Sequence, residues 1–398
     1  MQVITFGCRL NTFETAVMKK IAGDGLDDVI LINTCAVTAE AERQCRQVVR
    51  QAARDNPDKK IVVAGCAAQM HPEVFAAMPE VYRVLGNREK LTREALFGAD
   101  RVAVGDLSAP PAELPLVSDF DGRDRAFLQI QQGCDHACTF CIVRSLRGGN
   151  TGLPPDQVVA QARTFVQNGF QEIVLTGVDV ASYPHGLWAL TRRLLTEVDG
   201  LKRLRFGSLD PAGVGDELID LMVRYPNLMP SVHLSVQAGD NLVLKRMGRR
   251  HTFEDVVSFA ERLRRALPLA TLGADLIAGF PTETEVQFQR TTDLIDAAQI
   301  THVHVFPYSA REGTPAAKMP MVPMQERTRR AAMARAAGQR VHAAWLNKMI
   351  GQSVAVLVER DGNGYTENYL PVRVNQPDRA GTIITGMIQG KEDNVLVF

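Results

Sequence analysis

The sequence predicts an α/β protein in three parts. These are an open α/β domain over residues 1–105, a partial (β/α)6 barrel over 126–346 reached through a linker at 106–125, and a small β-barrel over 347–398. Three observations carry that reading. Apolar runs of strand length alternate with amphipathic helical stretches in both the first and the central part. The segment DLSAPPAELPLVSDFDGRDR between them is rich in Pro and Asp and has no apolar periodicity. From Gly351 the pattern changes to short alternating runs, SVAVLVE, LPVRV, GTIITGMI and NVLVF, broken by DGNG and NQPD.

In the first part, strands are expected at Val3–Phe6, Val29–Ile32 and Ile61–Ala64, each followed by a helix, which makes an open, Rossmann-like arrangement. Cys8, Cys35 and Cys66 stand just past these strands, in FGC, NTC and AGC. The C-terminal ends of parallel strands share one sheet edge, so three thiols far apart in sequence converge there. Such a set suits an iron-sulfur cluster with one iron left open; the alternative is cysteines that merely pack at strand ends. Cys45 lies inside the helical stretch AEAERQCRQVVRQA and belongs to neither cysteine set.

In the central part, strands are expected at Phe127–Gln131, Glu172–Leu175, Leu204–Phe206, Val232–Val236, Thr271–Ile277 and His302–Phe306. Six parallel strands without a seventh and eighth make a partial barrel whose active rim is the strand C-terminal end. After the first strand comes Gly133-Cys134-Asp135-His136-Ala137-Cys138-Thr139-Phe140-Cys141, with spacing Cx3Cx2C. Three thiolates at this spacing suit a 4Fe-4S cluster with a free iron. A zinc site using His136 as fourth ligand, or inert buried cysteines, are the competing readings. On the same rim fall Thr176-Gly177-Val178, Gln237-Ala238-Gly239 and Ala278-Gly279-Phe280-Pro281-Thr282-Glu283.

At 398 residues the chain exceeds one ordinary core. Its 45 basic and 45 acidic side chains cancel, which excludes a uniformly basic nucleic-acid coat but leaves room for local patches. One is Met324–Lys348, a helical stretch of net charge +5; another is Lys245, Arg246, Arg249, Arg250 and His251. Both suit phosphate contacts, or are ordinary solvated faces. Seven cysteines, an odd number, fit metal ligation in a reducing compartment better than disulfides. No leader pattern and no membrane-length apolar run is present, so a cytoplasmic protein is expected.

The Cx3Cx2C loop, with Gly133 before it and Phe140 before its last cysteine, resembles the radical SAM (S-adenosylmethionine) superfamily. There the free iron chelates SAM, and one electron cleaves it to a 5'-deoxyadenosyl radical. The resemblance implies cofactor contacts at Thr176, Gly177, Gln237, Gly279 and Glu283. Relatives commonly continue CxxCIxP with a proline where this chain has Arg144, so the turn leaving the loop is expected to differ.

CRLNTFET, INTCAVT and VAGCAAQ resemble the N-terminal domain of methylthiotransferases, radical SAM enzymes that modify tRNA or a ribosomal protein. This implies one 4Fe-4S cluster on Cys134, Cys138 and Cys141 and an auxiliary one on Cys8, Cys35 and Cys66, with no acid–base catalytic residue. LTGVDVASY, RLRFGSLDP, HLSVQAGDNLVLKRMGRRH, GADLIAGFPTETE and HVFPYSAREGTPAA look closest to the branch acting on N6-threonylcarbamoyladenosine at tRNA position 37. The isopentenyladenosine branch typically has Gln-Asn where this chain has Val178-Asp179. A carboxylate-bearing substrate calls for a cation, for which Arg249, Arg250 and Arg311 are candidates. GYTENYLPVRV resembles the TRAM module, an OB-like RNA-binding barrel, and Tyr365, Tyr369 and Arg373 are candidates to stack on the anticodon loop. The module itself is not basic, with four cations against six acids over 351–398. A low-potential electron donor such as flavodoxin or ferredoxin, and a sulfur source, are further implied partners.

Overall fold

In the computed structural model, which describes residues 1–107, 114–120 and 122–398, the chain opens with five parallel strands. They are β1 (Gln2–Thr5), β2 (Val29–Thr34), β3 (Lys60–Gly65), β4 (Val81–Leu85) and β5 (Val102–Ala103), in that order across the sheet. The three predicted strands are present, and the sheet continues through two more. The helix Ala39–Asp55 packs Val49 and Ala52 on one face, against Ile30, Ile32, Ile61 and Val63. The helix Arg9–Ala22 lies on the other, where Phe13, Val17 and Met18 join Leu31, Val62 and the barrel residues Ala126–Leu128 in one core. Alternation along β2 and β3 thus feeds two cores, and the second fuses this sheet to the barrel. Of the predicted linker, 108–113 and 121 lie outside the described residues; Val117 and Phe120 are buried in the fused core.

Next come β6 (Ala126–Gln129), the short antiparallel pair β7 (Gln131–Gln132) and β8 (Thr151–Gly152), β9 (Glu172–Thr176), β10 (Arg203–Phe206), β11 (Ser208–Leu209), β12 (Ser231–Gln237), β13 (Thr271–Ala278) and β14 (His302–Pro307). Strands β10-β9-β6 form one parallel sheet and β11-β12-β13-β14 another. Gly207 is the joint between β10 and β11; its N–H reaches Leu175 O at 2.8 Å, and a Cβ there would sit 3.1 Å from that oxygen. The six predicted strands are therefore all present and all parallel. Along β12 every second residue, Val232, Leu234 and Val236, is buried, leaving His233, Ser235 and Gln237 on the other face.

The helix Met324–Met349 crosses β13 and β14 and leads to β15 (Ser353–Val358), β16 (Asn363–Thr366), β17 (Pro371–Arg373), β18 (Ile383–Met387), β19 (Gly390–Glu392) and β20 (Val395–Val397). Their order is β18-β15-β16-β17-β20-β19, and among the described residues the two end strands do not pair with each other. This sheet covers the start of the barrel strands: Arg203 donates to Tyr365 O and Ala355 O, and Arg205 to Thr366 O and Glu367 O. Among the described residues, no helix is long and apolar enough to cross a membrane.

Candidate active site

The Cx3Cx2C loop is strapped at both ends by β7 and β8. Gly133 has φ +71°, and a Cβ there would lie 1.8 Å from Gly149 O, so only glycine lets the two ends of the loop close. Cys134 N then bonds Gly148 O at 3.1 Å. Gln131, fully buried, holds the rest. Its amide nitrogen donates to Gly133 O and Asn150 Oδ1, and its oxygen accepts from Val178 N and Asp179 N. One side chain therefore ties the cysteine loop to the loop after β9.

Each of the three thiols has an N–H beside it. His136 N lies 3.4 Å from Cys134 Sγ, Val143 N 3.4 Å from Cys141 Sγ, and Arg249 Nη1 3.5 Å from Cys138 Sγ. Burial pushes the free Cys134 thiol up to about 11, so it ionises readily only when a metal takes the proton's place. Three thiolates with hydrogen-bond donors fit a 4Fe-4S cluster. Beside the loop, His136 Nε2 lies 2.8 Å from Asp179 Oδ2 and 3.0 Å from Arg250, and Cys134, His136 and Asp179 bring one ligand atom each within 4.8 Å of one another. Arg144 also has a structural effect. It is the second residue of the helix Val143–Arg147, and its backbone N–H adds to Val143's at the Cys141 thiol, a donor that proline lacks.

Cys8, Cys35 and Cys66 come together at the end of the N-terminal sheet. The Cys35 thiol is pushed up by burial and by the neighbouring Cys66 and Cys8. Beneath them lies a buried charge layer that the sequence reading missed. Arg147 donates to Glu14 Oε1 at 2.6 Å, Glu14 Oε2 at 3.0 Å and Asn11 Oδ1 at 2.7 Å. Lys90 Nζ reaches Glu14 Oε2 at 2.7 Å, Asn87 Oδ1 at 2.9 Å and Asn33 Oδ1 at 3.2 Å. Three acceptors around Nζ use all three ammonium protons, which identifies Lys90 as charged although burial lowers its pKa. Two cations and one carboxylate leave one buried positive charge. Against burial, which acts to lower it, Cys66, Glu14 and Cys8 hold Arg147 well above its ordinary pKa. An anionic group on those three cysteines supplies the missing negative charge, and a thiolate-bound cluster fits. Cys45 is buried behind Cys35, its thiol 3.9 Å from Cys35 O and pushed up to about 11 by burial.

The two thiol sets are neighbours. The helix Val143–Arg147 begins two residues after Cys141, packs its N-cap Ile142 and its Leu146 into the core cluster that contains Cys66, and ends on the Glu14 network. Asn87 completes the link, donating to Leu146 O at 2.8 Å and to Cys66 Sγ at 3.5 Å. At about 1.5 Å per residue, this helix spans less than 10 Å.

Other sequence-predicted residues are placed as follows. Thr176 ends β9, and a Cβ on Gly177 would lie 2.7 Å from Gln131 Oε1, so both lie beside the cysteine loop. Gln237 ends β12 with φ +79°, a left-handed backbone rare for a non-glycine residue. Glycine at 279 (φ +73°) is required by Arg327, whose Cγ would be 2.3 Å from a Cβ. Glu283, expected as a cofactor contact, uses one carboxylate oxygen within the protein and keeps the other, Oε1, without a partner. It is buried, accepts from Gly279 N at 2.8 Å and pairs with Arg330 at 2.9 Å, fastening its loop to the helix Met324–Met349.

The predicted substrate cations have partners within the protein. Arg249 is committed to Asp210 at 3.2 Å, Ser235 O at 2.8 Å and Cys138. Arg311 is buried against Glu42 at 3.1 Å and Met70, joining the barrel to the N-terminal sheet. Arg250 alone of the three stays half-exposed, beside Asp210 and His136. Tyr365 and Tyr369 stack on each other at 4.6 Å beneath Arg125 and Arg205, packing the sheet onto the barrel, and both line a surface cavity beside Cys8. Arg373 pairs with Glu392. Half of the cations on the basic helix have acidic partners: Arg329 and Arg330 bind Glu285, Glu326 and Glu283, and Arg340 pairs with Asp296, while Arg327 and Arg335 donate to backbone carbonyls.

Residues 128–295 match the Radical SAM superfamily, and residues 1–86 match an uncharacterized protein family, UPF0004. The chain is 43% identical to the threonylcarbamoyladenosine tRNA methylthiotransferase MtaB of Rickettsia prowazekii over 99% of this chain and 96% of that protein. It is 37% identical to the Bacillus subtilis protein of the same name over 79% of this chain and 74% of that one. A tRNA-2-methylthio-N(6)-dimethylallyladenosine synthase of Roseobacter denitrificans is 35% identical over 90% of this chain and 87% of its own length. Among solved structures, the radical SAM methyltransferase TsrM of Kitasatospora setae shares the fold at TM-score 0.53 and 17% identity, covering 78% of this chain and 67% of that one. With its strands, thiol sets and N-terminal sheet accounted for in these terms, the chain belongs to the radical SAM tRNA methylthiotransferase family.

Proposed function

We propose that this protein adds a methylthio group to C2 of N6-threonylcarbamoyladenosine at position 37 of tRNA. The observation that carries the proposal is the contact of the two thiol sets through the helix Val143–Arg147. Replacing an aromatic C–H by sulfur needs a hydrogen-abstracting group and a sulfur carrier at the same carbon, and two ligand sets separated by one short helix meet that need. Threonylcarbamoyladenosine is chosen over the prenylated nucleoside because the relatives of 43% and 37% identity bear that name.

In this reading residues 1–105 hold the auxiliary 4Fe-4S cluster on Cys8, Cys35 and Cys66. Residues 126–346 hold the other on Cys134, Cys138 and Cys141, and 347–398 form a TRAM-like module that helps seat the anticodon loop. A cluster held by Cys134, Cys138 and Cys141 would, with SAM, supply the radical that an unactivated aromatic C–H requires. The chain's own residues do the rest. Gln131 fixes the cysteine loop against the rim segment Thr176–Asp179, where the amino end of SAM is expected. Gln237 and Gly279 border the same rim. Arg249 sets a fixed positive charge at the Cys138 thiol, and Arg147 does so at the auxiliary set. The sulfur source and a low-potential donor such as flavodoxin or ferredoxin are partners of this scheme.

The test is the nucleoside content of tRNA from the host lacking this protein. Loss of 2-methylthio-N6-threonylcarbamoyladenosine, with a rise in its unthiolated precursor, is expected. Loss of the prenylated methylthio nucleoside instead would move the protein to the neighbouring branch, and unchanged tRNA would favour a ribosomal-protein substrate.

A further inference from the structure

The lumen of the barrel holds a polar cluster that neither the cysteine sites nor the rim loops account for. His233 on β12, Asp275 on β13 and His304 on β14 bring one ligand atom each within 4.8 Å of one another. His304 Nδ1 bonds Asp275 Oδ1 at 3.2 Å. His233 Nε2 lies 3.1 Å from the same oxygen without completing a hydrogen bond and has no other partner, though buried. A Cβ on Gly273 would sit 2.3 Å from His233 Nδ1, so glycine there is what lets the ring lie across β13 beside the carboxylate. Burial acts to raise the Asp275 pKa, yet the two imidazoles hold it well below the usual carboxylate range.

Strand alternation fixes where this cluster faces. Val232, Leu234 and Val236 of β12 and Leu272, Ala274 and Leu276 of β13 are buried, and Val303 of β14 packs on Gly338 of the long helix. His233, Asp275 and His304 point the opposite way, into the lumen. The lumen is open along β14, where the His304 side chain is 62% exposed and Phe306, two residues nearer the rim, is 47% exposed. It is closed at the strand starts by Glu172, Arg203, Arg205 and the C-terminal sheet. Ser235, two residues beyond His233 and so about 7 Å along the strand, offers the carbonyl that Arg249 holds while touching Cys138. The cluster therefore lies below the cysteine loop.

We propose that His233, Asp275 and His304 form the subsite for the carboxylate-bearing substituent on N6 of the target adenosine, with Asp275 orienting the imidazoles that donate to it. The proposal rests on the substrate reading above and supplies the selectivity that Arg249 and Arg311 do not. Phe306 offers an aromatic face at the height between this subsite and the cysteine loop, where the base would stand. An apolar prenyl group beside this cluster would leave His233 Nε2 without a partner, as it is in the free protein, a penalty that disfavours it.

The test uses the reconstituted holoenzyme on three anticodon stem-loop RNAs. These carry threonylcarbamoyladenosine, its analogue with the threonyl carboxylate converted to a primary amide, or isopentenyladenosine. Wild-type protein should prefer the carboxylate over the amide by about 10- to 100-fold in kcat/KM, mostly through KM. In His304→Leu and in Asp275→Asn, with iron content equal to wild type, that ratio should fall toward one. A wild-type enzyme that turns over the carboxylate and amide RNAs equally, or variants that keep the full preference, would overturn the subsite while leaving the substrate reading intact. Turnover of the isopentenyl RNA alone would instead overturn the substrate reading. A non-iron metal lost on Asp275→Asn would overturn the subsite in favour of a metal centre.

Discussion

Arg147→Met removes one cation from the layer beneath Cys8, Cys35 and Cys66. Three hydrogen bonds go with it, two to Glu14 and one to Asn11, and the side chain that makes them is only 3% exposed. Breaking a buried ion pair from one side costs about 3–5 kcal/mol, because the partner stays buried and uncompensated. Here Lys90 remains on Glu14 Oε2, so the lower end, about 3 kcal/mol, is expected. The loss falls where the helix after the cysteine loop docks on the N-terminal sheet. A clean assay works in a Cys134→Ala background, so that only the auxiliary cluster absorbs, and follows its bleaching in an anaerobic denaturant titration. Arg147→Met should bleach at clearly lower denaturant, and the cluster should become harder to reduce because a neighbouring positive charge is gone. Arg147→Lys should recover the potential better than the stability, since one ammonium restores the charge but not the fork to Glu14 and Asn11. An unchanged bleaching midpoint and potential in Arg147→Met would refute the charge layer as the support of this site.

Alanine at Cys134, Cys138 or Cys141 should abolish SAM cleavage while the auxiliary cluster remains; 5'-deoxyadenosine formed at the wild-type rate would contradict that ligand set. Alanine at Cys8, Cys35 or Cys66 should leave SAM cleavage measurable, stop sulfur insertion and lower iron by about half. Cys45→Ala should change neither, and iron lost on that substitution would show that the wrong fourth cysteine was set aside. His302 is buried against His342 and Tyr369, and burial depresses its pKa from 6.5 to about 3. Below pH 6.5 the unfolded chain then takes up the proton that the folded one refuses, so its contribution, intact at neutral pH, is lost as pH falls toward 3. His302→Phe should flatten the acid side of the stability–pH curve by up to about 1.4 kcal/mol per pH unit, and an unaltered slope would count against it.

The barrel strands and both cysteine sets were legible because each rests on a local pattern. Strand alternation and a thiol just past a strand end are visible in the sequence wherever the partner strand lies. What could not be read were side chains whose partners lie far along the chain. Glu14, Lys90 and Arg147 are separated by 76 and 133 residues from one another's contacts, and in sequence each is an ordinary charge on a helix or loop. Tyr365 and Tyr369 have the spacing of a stacking platform, but Arg203 and Arg205, one face of RLRF, turn that platform inward. The same blindness hid the lumen cluster. HLS, ADL and HVHVF each place a polar residue where alternation requires the inner face, and that signal was present. Reading it needed the register in which Asp275 pairs with His304 and Gly273 makes room for His233. The cations offered in its place from sequence, Arg249 and Arg311, were selected for standing beyond strand ends. That position is also where a barrel binds its own loops and its neighbouring domain, and Asp210 and Glu42 compete for those guanidiniums more effectively than a transient substrate does. A residue inside the lumen has no such competitor except its own sheet, and His233 Nε2 is left without a hydrogen-bond partner there.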